Sequence, residues 1–163
     1  LMEQYGDYLL RTAVLLLRDR QAAEEAVQDT FIQAFENIAQ LRDGDKLRSW
    51  LTRIAVNRCR MRQRKWDWRH IFPMPRMDQH VNESVPAVDE MLGVHWREAE
   101  MIKSVQQLPY TYREVITLYY YNELGVQEIA AQLQLNINTV KARLMRGRHK
   151  LRQIVVEKGE SDA

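Results

Sequence analysis

The chain has 163 residues, 45% of them hydrophobic and 28% charged, with a formal net charge of +2. That length accommodates one ordinary domain or two small ones, and the hydrophobic share excludes wholesale disorder. The single cysteine, Cys59, excludes an internal disulfide and fits a reduced cytosolic thiol. No apolar run approaches the ~18 residues of a membrane span and the start has no signal-peptide pattern, so a soluble, cytoplasmic protein without membrane insertion is expected.

Leu9, Ala13, Leu16 and Leu17 make the first helical stripe. Asp19 is placed to cap a second helix, in which Glu24 and Glu25 lie early, where the helix dipole favours acids. Val27, Phe31, Ala34, Phe35 and Ile38 form the expected buried face of that helix. Its other faces carry Glu25, Gln28, Asp29, Gln33 and Glu36, with Asp29 read as an exposed acid. Acids do not favour DNA, so this surface is either a solvated face or the seat of a protein partner. Gly44 ends the next loop, Asp45 is the expected cap, and Leu47, Leu51, Ile54, Ala55 and Arg58 form a third stripe. Three amphipathic helices with short loops can share one core.

The third helix ends in a basic, aromatic block from Arg58 to His70, with Arg60, Arg62, Arg64, Lys65, Trp66, Trp68 and Arg69. Cations interleaved with indoles suit melted nucleic acid: arginines hold phosphates, and a tryptophan stacks on an unpaired base. Trp50, at the start of the stripe, is expected in the core. For Trp66 and Trp68, stacking and core packing both stand open. Pro73, Pro75 and Pro86 then punctuate a stretch without apolar period, which is expected as a flexible linker over 71–89 between domains at 1–70 and 90–158.

In the second half, helices are expected near 90–107, 110–122, 126–133 and 137–155, with Tyr119, Tyr120 and Tyr121 continuing the second of them. Gly125 with Glu128, and Asn136 with Thr139, are the caps. The last two helices are joined only by Gln134, Leu135 and Asn136, a helix-turn-helix pattern. Along the final helix Ile137, Val140, Leu144, Gly147 and Leu151 are expected to face the core. Asn138, Lys141, Ala142, Met145, Arg146 and His149 face away, with Arg143, Arg148 and Lys150 on the flanks. A solvated charged helix is the bland alternative. The short turn and the absence of any acid from Lys141 to Arg152 favour a helix that enters a DNA groove.

Catalysis has no foothold in this pattern. The histidines at 70, 80, 95 and 149 are scattered, and neither a phosphate-cradling glycine loop nor an activated-serine motif is present. No enzyme activity, cofactor or metal is expected.

Five segments now carry a resemblance. Leu108-Pro109-Tyr110-Thr111-Tyr112-Arg113-Glu114-Val115-Ile116, Glu128-Ile129-Ala130-Ala131-Gln132-Leu133 and Thr139-Val140-Lys141-Ala142-Arg143-Leu144-Met145-Arg146-Gly147-Arg148 resemble the sigma-four domain of bacterial extracytoplasmic-function sigma factors. Ala23 to Phe31 and Ser49 to Asn57 resemble their sigma-two domain. The resemblance implies an all-α fold of two small helical domains, a sigma-two-like bundle and a sigma-four-like helix-turn-helix domain. It implies a subunit that binds core RNA polymerase and directs promoter-specific initiation.

The implied site residues are three sets. Glu25, Gln28, Asp29, Gln33 and Glu36 dock on the core polymerase. Asn57, Arg58, Arg60, Arg62, Arg64, Lys65, Trp66 and Trp68 read the −10 element. Asn138, Thr139, Lys141, Ala142, Arg143, Met145, Arg146 and Arg148 read the −35 element. An anti-sigma factor, often membrane-anchored, is the implied inhibitor. Asn136 stands where the family commonly has proline, Asn138 where it has glycine, and Gly147 where it has alanine, which should loosen that helix by ~1 kcal/mol. The chain opens close to the first stripe, leaving open a preceding segment, and the long extension that some subgroups of the family carry after the last helix is not expected. The rivals are an autonomous helix-turn-helix regulator, which would need a receiver or ligand domain upstream, and a protein-binding adaptor with no DNA role.

Overall fold

The computed structural model describes residues 2–71 and 96–161. They belong to two compact units, Leu1–Pro86 and Ala87–Ala163, and the described residues are helical, with no strand among them. The expected linker lies, past Ile71, outside the described residues, as does the start of the helix expected near 90–107.

The first unit is a bundle of α1 (Met2–Leu17), α2 (Arg20–Glu36) and α3 (Leu47–Ile71). Leu9, Phe31, Ala34, Leu51, Ile54 and Ala55 form its core, with Tyr5, Tyr8, Val27, Leu47 and Trp50 packed around them. The three helices meet closely because buried Ala13, Ala23 and Ala26 add little bulk. Buried threonines are tolerated because each returns its hydroxyl to the carbonyl four residues back: Thr12 to Tyr8 at 3.0 Å, Thr30 to Ala26 at 2.6 Å, Thr52 to Arg48 at 2.7 Å. Arg18 turns the chain through the left-handed region at φ 65°, and Asp19 then accepts from the Gln21 N–H at 2.9 Å, the expected cap.

Two expectations for this unit are corrected. Phe35 and Ile38 do not face the core; they are 57% and 42% exposed. The buried face of α2 runs instead through Ala23, Ala26, Thr30, Phe31 and Ala34, and the helix stops at Glu36, so that Ile38 falls in a 3₁₀ turn. Asp45 does not cap α3. Asp43 accepts from the Asp45 N–H at 3.0 Å and caps a 3₁₀ turn, Gly44–Lys46, that leads into α3.

The second unit holds α4 (Trp96–Gln106), α5 (Tyr110–Ile116), a π-helical turn (Thr117–Tyr121), α6 (Val126–Leu133) and α7 (Ile137–Ser161). Its interior is lined by Leu108, Val115, Leu118, Ile129, Leu133, Val140 and Leu144. Arg113 is only 3% exposed, and its Nη1 donates to the carbonyls of Gln106 and Leu108, both at 3.1 Å. It therefore satisfies the carbonyl end of α4 and the turn into α5. The π turn closes with the Asn122 N–H on the Thr117 carbonyl at 3.1 Å, so the tyrosines do continue the helix, with one residue more per turn. α7 runs past the expected end near 155 to Ser161, and Lys158 reaches back to the Ser104 hydroxyl at 3.3 Å.

The helix-turn-helix joint is as expected. The Asn138 N–H donates to Asn136 Oδ1 at 2.8 Å, and Glu128 accepts from the Gly125 N–H at 3.4 Å. Gln134 sits in the left-handed region at φ 55°, and the Leu135 N–H closes on the Ala130 carbonyl at 3.0 Å.

Gly147 is more than a loosened helix position. A Cβ there would lie 3.0 Å from Ile116 Cγ1 and 3.3 Å from Tyr112 Cβ, so the glycine lets α5 and α7 approach. Gly147→Ala would gain ~1 kcal/mol of helix propensity but overpack a buried contact at a cost of ~1–3 kcal/mol. The expected net is a loss of about 1 kcal/mol, to be measured by urea unfolding; a gain would show that Ile116 yields freely.

Candidate nucleic-acid and partner interfaces

α7 presents its outer face as the hydrophobic period requires. Asn138, Lys141, Met145, Arg146 and His149 are exposed, while Thr139, Ala142 and Arg143 are half-buried. Ile137 is corrected: it is exposed, because it opens the first turn of α7 beyond the reach of the core that holds Val140 and Leu144. Arg148 is half-buried. Its Nε donates to the Tyr120 hydroxyl at 2.5 Å, and its guanidinium lies 5.4 Å and 5.5 Å from the ring centroids of Tyr119 and Tyr120. Lys150 lies 5.5 Å from the ring of Tyr112. The sequence reading missed these tyrosines as partners of α7, because nothing in helical period links residues on different helices.

α3 continues past its last buried residue, Cys59, so its basic block extends the helix beyond the bundle core. Asn57, Arg64 and Lys65 are exposed and Arg60 is half-buried. Trp66 and Trp68 are 53% and 65% exposed, which settles the open question against core packing. Trp50 is half-buried against the core, as expected.

Two members of this basic set are not available in the way the sequence implied. Arg58 Nε donates to Gln33 Oε1 at 2.9 Å. Arg62 bridges two acids of α2, with Nη1 2.9 Å from Glu25 Oε2 and Nη2 3.0 Å from Asp29 Oδ2. The acidic and basic sets, expected as separate surfaces, are thus joined along the α2–α3 seam. Asp29 is corrected from an exposed acid to a half-buried, paired one. Gln28 and Glu36 remain exposed, and beside them α2 shows the apolar side chains of Ile32 and Phe35.

Among the described residues no group of three His, Cys, Asp or Glu side chains could hold a metal ion, and no helix is long and apolar enough to cross a membrane.

Comparison with known proteins bears on both units. The family described as Sigma-70 region 2 matches residues 1–69, and that described as Sigma-70, region 4 matches residues 99–151. The chain is 31% identical over 165 residues to the ECF RNA polymerase sigma factor SigW of Bacillus subtilis strain 168, covering 94% of this chain and 86% of that protein. The sigma factor RpoE from Bartonella quintana, solved in complex with the anti-sigma factor NepR, shares the fold with a TM-score of 0.65 at 23% identity, over 94% of each chain. CnrH in complex with the cytosolic domain of CnrY gives a TM-score of 0.63 at 25% identity, over 96% of this chain and 85% of that one.

Proposed function

The chain belongs to the extracytoplasmic-function sigma factors, non-catalytic subunits that direct RNA polymerase in transcription initiation, and from that premise we propose how its surfaces divide the work. Residues 1–70 dock on the core enzyme and engage the −10 element, residues 90–158 engage the −35 element, and 71–89 connect them. The protein acts in the cytoplasm, where its polymerase is.

The observation that carries the −35 reading is α7 itself. It follows a three-residue turn, keeps Val140 and Leu144 inside, and turns Lys141, Met145 and Arg146 outward. Such a helix fits a major groove, with its N-terminal half over base edges. Lys141 and Arg146 read bases. The exposed Trp66 and Trp68, amid Arg64 and Lys65, support a second site that stacks on and holds the melted −10 strand, with Asn57 and Arg60 on the same helix. Glu25, Gln28, Asp29, Gln33 and Glu36 form the docking face for the core enzyme.

An anti-sigma factor restrains the protein. In support, the two solved structures compared above are complexes with a second protein, an anti-sigma factor in the RpoE case and the cytosolic domain of CnrY in the CnrH case.

Run-off transcription with reconstituted holoenzyme over a library of −35 sequences tests the assignment. Lys141→Ala and Arg146→Ala are each expected to lose ~1–3 kcal/mol of discrimination, confined to one or two base pairs. Undiminished discrimination in both variants would remove α7 from base reading.

A further inference from the structure

We propose that Tyr119 and Tyr120, with Arg148, form a phosphate-binding ledge on the flank of α7. The inference rests on the reading that α7 enters DNA, and adds to it residues that helical phase did not single out.

The argument starts from position. Arg148 follows Lys141 by seven residues, so the two share a stripe of α7 about 10 Å apart along its axis. A groove that receives the N-terminal half of a helix diverges from its later turns, and a cation two turns on meets the backbone wall rather than base edges. Surface arginines are ordinarily mobile, and fixing one on a phosphate costs rotamer entropy. Here that ordering is already present. Arg148 Nε is held by the Tyr120 hydroxyl at 2.5 Å, and the guanidinium lies against both rings, whose centroids are 4.9 Å apart in an edge-to-face pair. The bond to Tyr120 uses Nε and not the two Nη groups, which can fork onto an oxyanion. The Tyr120 hydroxyl accepts from Nε, so the tyrosine acts by holding the guanidinium in place.

The π turn is what sets the two rings. An extra residue in that turn rotates Tyr119 and Tyr120 relative to an α-helical path, and π turns of this kind gather at functional sites. Tyr120 is exposed, with more than half its surface open, so its ring is not there for the core. An ordered guanidinium on that flank, backed by aromatic rings, is matched in form by a phosphate of the DNA backbone.

The test uses the full chain as holoenzyme with duplexes that carry a matched or a mismatched −35 element, titrated over a salt series. Tyr120→Phe keeps the ring and removes the hydroxyl. It is expected to weaken both duplexes by the same factor, about 3- to 10-fold. Arg148→Ala should weaken both further and lower the salt slope by about one phosphate contact. The double variant should bind no worse than Arg148→Ala alone, since the tyrosine acts through the arginine. Arg148→Lys, which keeps the charge without the fork, should fall between wild type and Arg148→Ala. Wild-type binding by Tyr120→Phe, additive losses in the double variant, or a loss confined to the matched duplex would each overturn the ledge. Lys141→Ala separates the two levels. If it and Tyr120→Phe are both silent, α7 does not dock on DNA; if it impairs binding and Tyr120→Phe does not, only the ledge fails.

Discussion

Asp29→Arg is expected to weaken binding to core RNA polymerase by about 10- to 100-fold while leaving the first unit folded. The substitution reverses a charge on the proposed docking face, and reversal both removes an attraction and adds a repulsion. At separations of a few ångströms near a protein surface each part amounts to ~1 kcal/mol or more. The fold should survive, because the Asp29–Arg62 pair is partly solvated, at 41% and 29% side-chain exposure, and such pairs contribute only ~0–1 kcal/mol. The core of the unit, from Leu9 to Ala55, does not involve it.

The pairing adds a discriminating control. Arg62 now holds Glu25 and Asp29 together, two like charges on adjacent turns, and so belongs to the proposed docking face as much as to the basic block. Arg62→Ala would disturb the face without reversing it and should change core binding by no more than about threefold. It should also leave promoter melting near wild type if Arg62 stays with its acids in the open complex. Surface plasmon resonance on immobilised core enzyme and permanganate footprinting of unpaired thymines give the two readouts. Undiminished core binding by Asp29→Arg would end the docking assignment. A melting defect in Arg62→Ala with normal core binding would return Arg62 to the −10 set.

These pairs also mark what was legible in advance and what was not. The helix-turn-helix joint could be read because its signals are local: Glu128 and Asn136 each reach a backbone N–H two or three residues away, and the turn is three residues long. The stripe of α7 could be read because Val140 and Leu144 are large and apolar. The buried face of α2 was misplaced because it is built from Ala23, Ala26, Thr30 and Ala34, which carry little hydrophobic weight, while Phe35 and Ile38 weigh heavily and face outward. Packing distance between helices, not side-chain size, set that phase. The contacts of Arg58 and Arg62 with α2 span 25 to 37 residues, and that of Arg148 with Tyr120 spans 28. No period reaches so far, so two sets of site residues were assigned as if independent. Arg113 was legible only as part of a family motif; its burial has no signal in a single sequence.

Arg113→Met is the substitution expected to destabilise the second unit most among those considered, by about 3–5 kcal/mol. Methionine matches the length of the arginine stem and fills most of its volume, so the loss is polar rather than steric. Two buried carbonyls, of Gln106 and Leu108, lose the donor that closes the end of α4. Hydrogen bonds to a charged donor contribute ~1.5–3 kcal/mol each, and a buried acceptor left without one bears its full desolvation cost. The guanidinium also lies 5.2 Å from the Tyr110 ring, and methionine removes the charge from that contact. Small domains hold only ~5–15 kcal/mol in total, and this unit is at the small end, so a large part of its stability goes with one side chain. Thermal unfolding followed by amide exchange at Leu118, Ile129 and Leu144 would show the loss there. Exchange at Leu51 and Val56 should be unchanged, since that unit has its own core. A loss under about 1 kcal/mol would mean that water satisfies the two carbonyls as well as Arg113 does, and that the residue is held for something other than closing α4.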